Sequence, residues 1–195
     1  MVSNTAENAP HMRHRCGLPW VWGEPATDVQ LLAPAGAADA RPVVRSVVVD
    51  APAETVFGWV CQLRRAPYSY DWLDNFGRRS PREADPSLTG LEVGQSFMTI
   101  FELVGFAAPS SVRLRMKEGW PTAAFGAIDL TYSIEAADAE RTRLSAVMWM
   151  LPIGRVLGRT RRYLLAWGDL VMMRKQLRTL AALAERDTTN AKTRH

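Results

Sequence analysis

Four segments in the second half of the chain alternate between apolar and polar residues, and this alternation predicts β-strands. They span residues 96–104, 111–118, 126–135 and 141–150. A period of two residues is typical of a sheet with one buried face and one solvent-exposed face. The Pro, Gly and charged residues between the segments suit tight turns. We therefore expect an antiparallel meander of four strands.

Further elements are predicted before this meander. The run of β-branched residues at 43–49 favours another strand, and Asp50-Ala-Pro52 is typical of a helix start. Pro67 is expected to end that helix. The aromatic and acidic segment 68–75 predicts a short second helix, and residues 78–95 predict a loop.

The last predicted element is an amphipathic helix over residues 155–186. At about 1.5 Å per residue it is roughly 48 Å long, enough to cross a whole sheet. Apolar residues recur along it mostly at spacings of three and four, as in Tyr163, Leu164, Trp167, Leu170, Val171, Leu177, Leu180 and Ala184. The fold class predicted is α+β, with a curved antiparallel sheet wrapped around this C-terminal helix.

The ends of the chain differ from the middle in composition. Residues 1–12 and 187–195 are polar and are expected to be disordered tails, which leaves a single domain at 13–186. Residues 13–42 form an extension that contains Trp20 and Trp22. Because exposed indoles forfeit much burial energy, we expect this extension to pack on the domain. A disordered leader is the alternative.

Composition narrows the function classes. All three histidines lie near the chain ends (His11, His14 and His195), and Cys16 and Cys61 have no zinc spacing. A histidine-dependent catalytic site, a metal or another cofactor is therefore not expected. The net charge of +4 is too small to predict nucleic-acid binding. With no apolar leader and no apolar stretch that could span a bilayer, a cytoplasmic protein without stable membrane insertion is expected.

Two segments carry a family resemblance. Val47-Val-Val-Asp-Ala-Pro-Ala-Glu-Thr-Val-Phe57, with the terminal helix, resembles the START-like (SRPBCC) superfamily of polyketide cyclase-like and lipid-transfer proteins. The segment from Trp59 to Pro81 is similar to an uncharacterised actinobacterial branch of it. The resemblance implies a helix-grip fold whose sheet grips the long helix. It also implies a cavity for a lipid-, polyketide- or steroid-like ligand, and no universal catalytic motif.

Candidate site residues follow from the elements that would surround such a cavity. The predicted ligand-binding residues are Tyr68, Tyr70, Asp71, Trp72, Phe101, Leu114, Met116, Leu130, Tyr132, Met148, Leu164 and Trp167. Asp71, Asp74 and Glu102 are weak candidates for a catalytic carboxylate. Strand alternation does not settle which way Glu102 points, because its neighbours are apolar on both faces. Solvent, or a salt bridge to Arg113 or Arg115, is the alternative.

Three functions remain open. The preferred hypothesis is a carrier or sensor that binds a small apolar molecule. The second is a cyclase, dehydratase or isomerase that uses a carboxylate or tyrosine in the cavity. The third is a protein- or membrane-interaction module, because the predicted terminal helix carries eight basic and two acidic residues.

Overall fold

The computed structural model describes residues 17–24, 40–70, 77, 79–151 and 158–194. The described strands are β1 (Val21–Trp22), β2 (Arg41–Val49), β3 (Ser96–Phe97), β4 (Phe101–Ala107), β5 (Ser111–Met116), β6 (Ile128–Ala136) and β7 (Thr142–Met150). The described α-helices are α1 (Ala53–Cys61), α2 (Trp120–Phe125) and α3 (Gly158–Thr193). Short 3-10 helices span Gln62–Arg64 and Pro86–Thr89.

The seven strands form one open sheet in the order β1-β2-β7-β6-β5-β4-β3. All neighbouring strands are antiparallel except β1, which runs parallel to β2. The predicted α+β fold, with a sheet and a long C-terminal helix, is confirmed, and it has the helix-grip order of elements. The all-antiparallel sheet is corrected to a mixed one, because β1 was not predicted as a strand.

The segment 96–104 is not one strand, as its composition suggested, but the hairpin of β3 and β4. Phe97 pairs with Phe101 across a three-residue turn. In that turn Met98 and Thr99 have φ angles of 45° and 68°, which non-glycine residues rarely adopt. Because the turn contains no Gly, Pro, Asn or Asp, it could not be recognised from composition.

Helix α3 packs on the inner face of the sheet and on α1. Its second half supplies Met173, Leu177, Leu180, Ala181, Leu183 and Ala184 to the hydrophobic core. The helix continues to Thr193, so the predicted disordered tail at 187–195 is wrong for the part that the structure describes. Asp187 holds this extension against α1, since its Oδ2 accepts a hydrogen bond from Trp59 Nε1 at 3.0 Å.

The first half of α3 turns a different face to the sheet from the one predicted. Leu164, Trp167 and Val171 belong to the predicted apolar stripe, yet they are exposed. Leu170, also a member of the predicted stripe, is buried, and so is Ala166, which was not. Successive helix residues differ by about 100° in direction. The buried face of the second half therefore continues towards the start of the helix through Met173, Leu170 and Ala166. Residues 164, 167 and 171 lie on a different side of the helix.

The described part of the N-terminal extension, residues 17–24, packs along the edge of β2. Val44 N donates to Trp20 O at 2.7 Å, and Arg143 forms an ion pair with Glu24 at 2.6 Å. Trp20 and Trp22 are partly buried against the core rather than fully enclosed. Gly23 has a φ of +86°, and a Cβ there would lie 2.2 Å from Ser46 O, so this close approach requires glycine.

Candidate ligand site between the sheet and the terminal helix

A row of side chains crosses the inner face of the sheet beneath α3. Ala146 on β7 pairs with Arg45 on β2 and with Tyr132 on β6, which in turn pairs with Val112 on β5. Directly paired residues of antiparallel strands point to the same face. Arg45 and Tyr132 are therefore two polar side chains on one otherwise apolar row, separated by the methyl group of Ala146.

Arg45 is fully buried and joins three elements. Its NH1 donates to the carbonyl oxygens of Trp20 and Val44 at 3.0 Å, and its NH2 donates to that of Ala166 at 3.2 Å. The same NH2 lies 3.0 Å from Asp169 Oδ2 in an ion pair. Its Nε has no hydrogen-bond partner among the described residues. Arg45 thus connects the β1 segment and α3 to β2. Its Nε remains as a hydrogen-bond donor that no described residue uses.

Asp169 is the acidic partner of this buried cation. Removal from water raises the pKa of Asp169 to about 7, although the charge of Arg45 and its hydrogen bonding act to lower it. Burial also lowers the pKa of Arg45, while Asp169 acts to raise it. The side chain of Asp169 keeps 13% of its exposure whereas that of Arg45 keeps none. The pair is therefore accessible from the edge of α3, on the carboxylate side.

A second polar contact lies two helical turns further along α3. The Tyr132 hydroxyl donates to Gln176 Oε1 at 2.6 Å, and Gln176 Nε2 donates to Pro67 O at 2.6 Å. Gln176 Nε2 also lies 3.3 Å from the sulfur of Met98. Burial, followed by the nearby charge of Asp169, raises the pKa of Tyr132 well above its ordinary value. The phenol is neutral, and Gln176 links the sheet, the loop after α1 and the β3–β4 turn.

Most of the predicted sheet residues meet on this inner face. Those that are buried in the core there are Phe101, Leu114, Met116, Leu130, Tyr132 and Met148. Tyr68 is buried against Trp59, with ring centroids 5.9 Å apart in an edge-to-face arrangement. Tyr70 is partly buried. The predictions for Asp71, Trp72 and Asp74 lie outside the described residues.

Two predicted placements are corrected, and the open alternative for Glu102 is decided in favour of solvent. Leu164 and Trp167 are 64% and 40% exposed, because they project from the side of α3 that turns away from the sheet. Glu102 is exposed on the outer face, where it pairs in register with Arg115. It does not reach the interior, and Arg115 forms its ion pair with Asp129 at 3.1 Å. Neither the two helix residues nor Glu102 contributes to the site.

Sequence reasoning missed Arg45, Asp169 and Gln176. A signal for Arg45 existed, because strand alternation puts it on the same face as Val43 and Val47. Asp169 and Gln176 stand seven residues apart, which places them on one helix face. Both were interpreted as solvated polar residues, because the apolar stripe predicted for the first half of α3 included Leu164 and Trp167, which are exposed.

The buried thiol near this region carries no chemistry of its own. Cys61 is a free cysteine at the end of α1 and is fully buried. Desolvation raises its pKa to about 12, although Arg64 acts to lower it. Because the thiolate is the reactive form, this cysteine is a packing residue.

No family model and no curated protein matches the chain. Among solved structures, the Zhui aromatase/cyclase from Streptomyces sp. R1128 is 18% identical, with a TM-score of 0.47 over 75% of this chain and 94% of that one. The di-domain ARO/CYC StfQ from the steffimycin biosynthetic pathway is 12% identical, with a TM-score of 0.46 over 76% of this chain and 51% of that one. A START superfamily protein from Mycobacterium smegmatis is 17% identical, with a TM-score of 0.39 over 77% and 98%. These similarities concern overall architecture and carry nothing about function.

Proposed function

We propose that the protein reversibly binds a small apolar molecule carrying a hydroxyl or carbonyl oxygen, between the inner face of the sheet and α3. It would act as a carrier or sensor. The observation behind this is the Arg45–Asp169 pair, buried at a largely apolar sheet–helix interface. Replacing such a pair by apolar residues often leaves stability unchanged or improves it. An interface built only for stability would gain little from this pair.

The polar cluster suits an uncharged oxygen. When Asp169 is ionised, it and Arg45 neutralise each other, so a charged ligand group would then meet no net charge. Within the described part of the chain, Arg45 Nε has no partner. Asp169 Oδ2, which lies 3.0 Å from Arg45 NH2, has a second lone pair that can accept a hydrogen bond. A hydroxyl group engages both a donor and an acceptor, and a carbonyl oxygen engages the donor.

The surrounding residues suit an apolar body. Leu130, Met148, Leu114 and Leu103 form the next row along the inner face of the sheet. Met116, Met150 and Met173 are buried in the same core. Methionine side chains adapt to irregular shapes, and ligand pockets combine apolar walls with a few polar groups.

Fluorescence titration with the neutral apolar probe N-phenyl-1-naphthylamine tests the proposal. Ala146 lies between Arg45 and Tyr132, so Ala146→Trp places an indole where the ligand would sit. We expect wild type to bind the probe and Ala146→Trp to bind it at least about tenfold more weakly. Val48→Trp, on the outer face of β2, is the matched control and should bind as wild type does.

Competition with 2-naphthol and naphthalene then tests the polar contact. In Arg45→Met/Asp169→Leu the ratio of the naphthol affinity to the naphthalene affinity should fall about fivefold, the value of one hydrogen bond. Probe uptake itself should persist. A wild-type protein that binds no probe contradicts the proposal, and so does a folded Ala146→Trp variant with unchanged affinity.

An acid–base enzyme, such as a cyclase or dehydratase, is the second candidate. The observation that favours it is Asp169, because a carboxyl group with a pKa near 7 can both accept and donate a proton at neutral pH. Tyr132 is a neutral hydrogen-bond donor on the neighbouring row. Turnover of a poly-β-carbonyl compound that Asp169→Asn abolishes while probe binding remains would favour this candidate over the carrier.

A further inference from the structure

Large exposed apolar side chains are concentrated at one end of the molecule. Of the eleven in the described part of the chain, eight lie at the end of the sheet where β2 and β6 begin and β5 and β7 end, or on the first half of α3. We call this surface the aromatic end; its members are Leu18, Trp120, Phe125, Leu151, Tyr163, Leu164, Trp167 and Val171. Soluble proteins rarely expose so many large apolar side chains together, and where they do, the patch usually binds a partner or a membrane.

The aromatic end is an ordered surface. The Tyr163 ring lies 6.2 Å from that of Trp20 and 6.4 Å from that of Trp167, measured between centroids. The guanidinium group of Arg41 stacks on Trp20 at 3.7 Å. On α2, Trp120 and Phe125 contact each other at 6.4 Å, while Trp120 remains 67% exposed. These contacts fix the rings in place and still leave much of their surface to solvent.

The sequence around the start of α3 is positively charged. From Leu144 to Gly168 the sequence holds four arginines and no acidic residue. Arg159 and Arg161 are exposed on the first turns of α3. The opposite end of the molecule carries an open groove of about 540 Å³ lined by three acidic residues, Arg141 and Lys192. Aromatic and basic groups thus share one end, and the acidic groove lies at the other.

We propose that the aromatic end docks reversibly on the surface of a membrane that contains anionic phospholipids. Tryptophan and tyrosine favour the boundary between headgroups and acyl chains, and arginines nearby are attracted to anionic headgroups. Within the described residues, no helix has the length and apolar character to cross a bilayer, which fits peripheral docking. Ligand binding is a separate property, because Leu164 and Trp167 face away from the sheet.

Co-sedimentation with vesicles tests this docking. One set of vesicles is pure phosphatidylcholine, and the other contains about 30% phosphatidylglycerol, at about 0.1 M salt. We expect the wild-type partition coefficient to be at least about tenfold higher on the anionic vesicles and to fall at high salt. Leu164→Gln/Trp167→Gln and Arg159→Glu/Arg161→Glu should each lower it by at least about tenfold.

Matched controls place the same changes elsewhere. Val93→Gln removes an exposed apolar side chain outside the aromatic end, and Arg82→Glu/Arg194→Glu reverses two exposed charges away from it. Both should bind vesicles as wild type does. Equal binding of wild type to the two vesicle types would overturn the proposal. So would a wild-type dimer that Leu164→Gln/Trp167→Gln converts to a monomer with no vesicle binding, because the surface would then be a protein interface.

Discussion

At the residue scale, the buried Arg45–Asp169 pair dominates the chemistry of the interior. Each side chain loses its hydration on folding and recovers part of that loss from the other. Arg45 recovers more, because three backbone carbonyl oxygens also accept its hydrogen bonds. Asp169 depends on a single ion pair and is the group whose protonation changes near neutral pH.

This pair makes stability depend on pH in a defined direction. The pKa of Asp169 is raised on folding, so between about pH 4 and 7 the native state holds a proton that the unfolded state has released. The free energy of unfolding should therefore fall as pH rises through this range, by up to about 1.4 kcal/mol per unit. Urea unfolding of wild type and Asp169→Asn at pH 5 and 7 measures it, and the slope due to Asp169 should be absent from the variant.

An exposed aspartate is the control for this experiment. Hydrogen bonds from Arg141 and from the backbone lower the pKa of Asp138, so it stays ionised across the range. Asp138→Asn should keep the wild-type pH dependence. If wild type and Asp169→Asn show the same slope, Asp169 does not titrate between these pH values.

Individual polar residues were harder to predict from the sequence than the elements that hold them. Tyr132 was identified because it shares a strand face with Leu130 and Ile134, whose burial the alternation makes plain. Arg45 interrupts a β-branched run, and a charged residue there is ordinarily read as solvent-facing. Its burial depends on Asp169, a partner more than a hundred residues away.

At the element scale, α3 consists of two halves with different surroundings. From Met173 onwards its apolar residues enter the core, so spacing and burial agree. Before Met173 two apolar or small-residue faces compete, one through Ala166 and Leu170 and the other through Leu164 and Trp167. Hydrophobicity alone favours the second face. The structure buries the first, because small side chains let the helix approach β2 and Arg45 reach the Ala166 carbonyl.

Alanine substitutions in the two halves should have very different costs. Leu177 is fully buried in the core, so Leu177→Ala should lower the free energy of unfolding by about 2–5 kcal/mol. Leu164 is mostly exposed, so Leu164→Ala should change it by no more than about 0.5 kcal/mol. Chemical denaturation of both variants tests which face α3 buries. Similar large losses would mean that the first half packs as its hydrophobic pattern suggests.

At the scale of the whole molecule, the sheet has an edge that needs protection. Without β1, the outer edge of β2 would expose its backbone groups and the Val44–Val147–Trp149 cluster beside it. The meander and the long helix were predictable because their patterns are periodic and local. The pairing of β1 with β2 was not, since two residues carry no period and their partners follow about twenty residues later.

Removal of the N-terminal extension should therefore destabilise the whole domain. Deleting residues 1–40 removes β1, the ion pair of Glu24 with Arg143 and the Trp20 carbonyl oxygen that accepts from Arg45. Trp20 and Trp22 are partly buried, and losing about half of the area of two indoles, about 150–250 Å², at about 25 cal/mol per Å² removes roughly 4–6 kcal/mol of burial energy. For a domain of this size that corresponds to a decrease in Tm of about 10 °C.

Calorimetry of this truncation beside one lacking only residues 1–12 measures the effect, and the shorter deletion should melt as the full chain does. If both truncated proteins melt with the full chain, the packing of Trp20 and Trp22 contributes nothing to stability, and the edge of β2 is stable without β1.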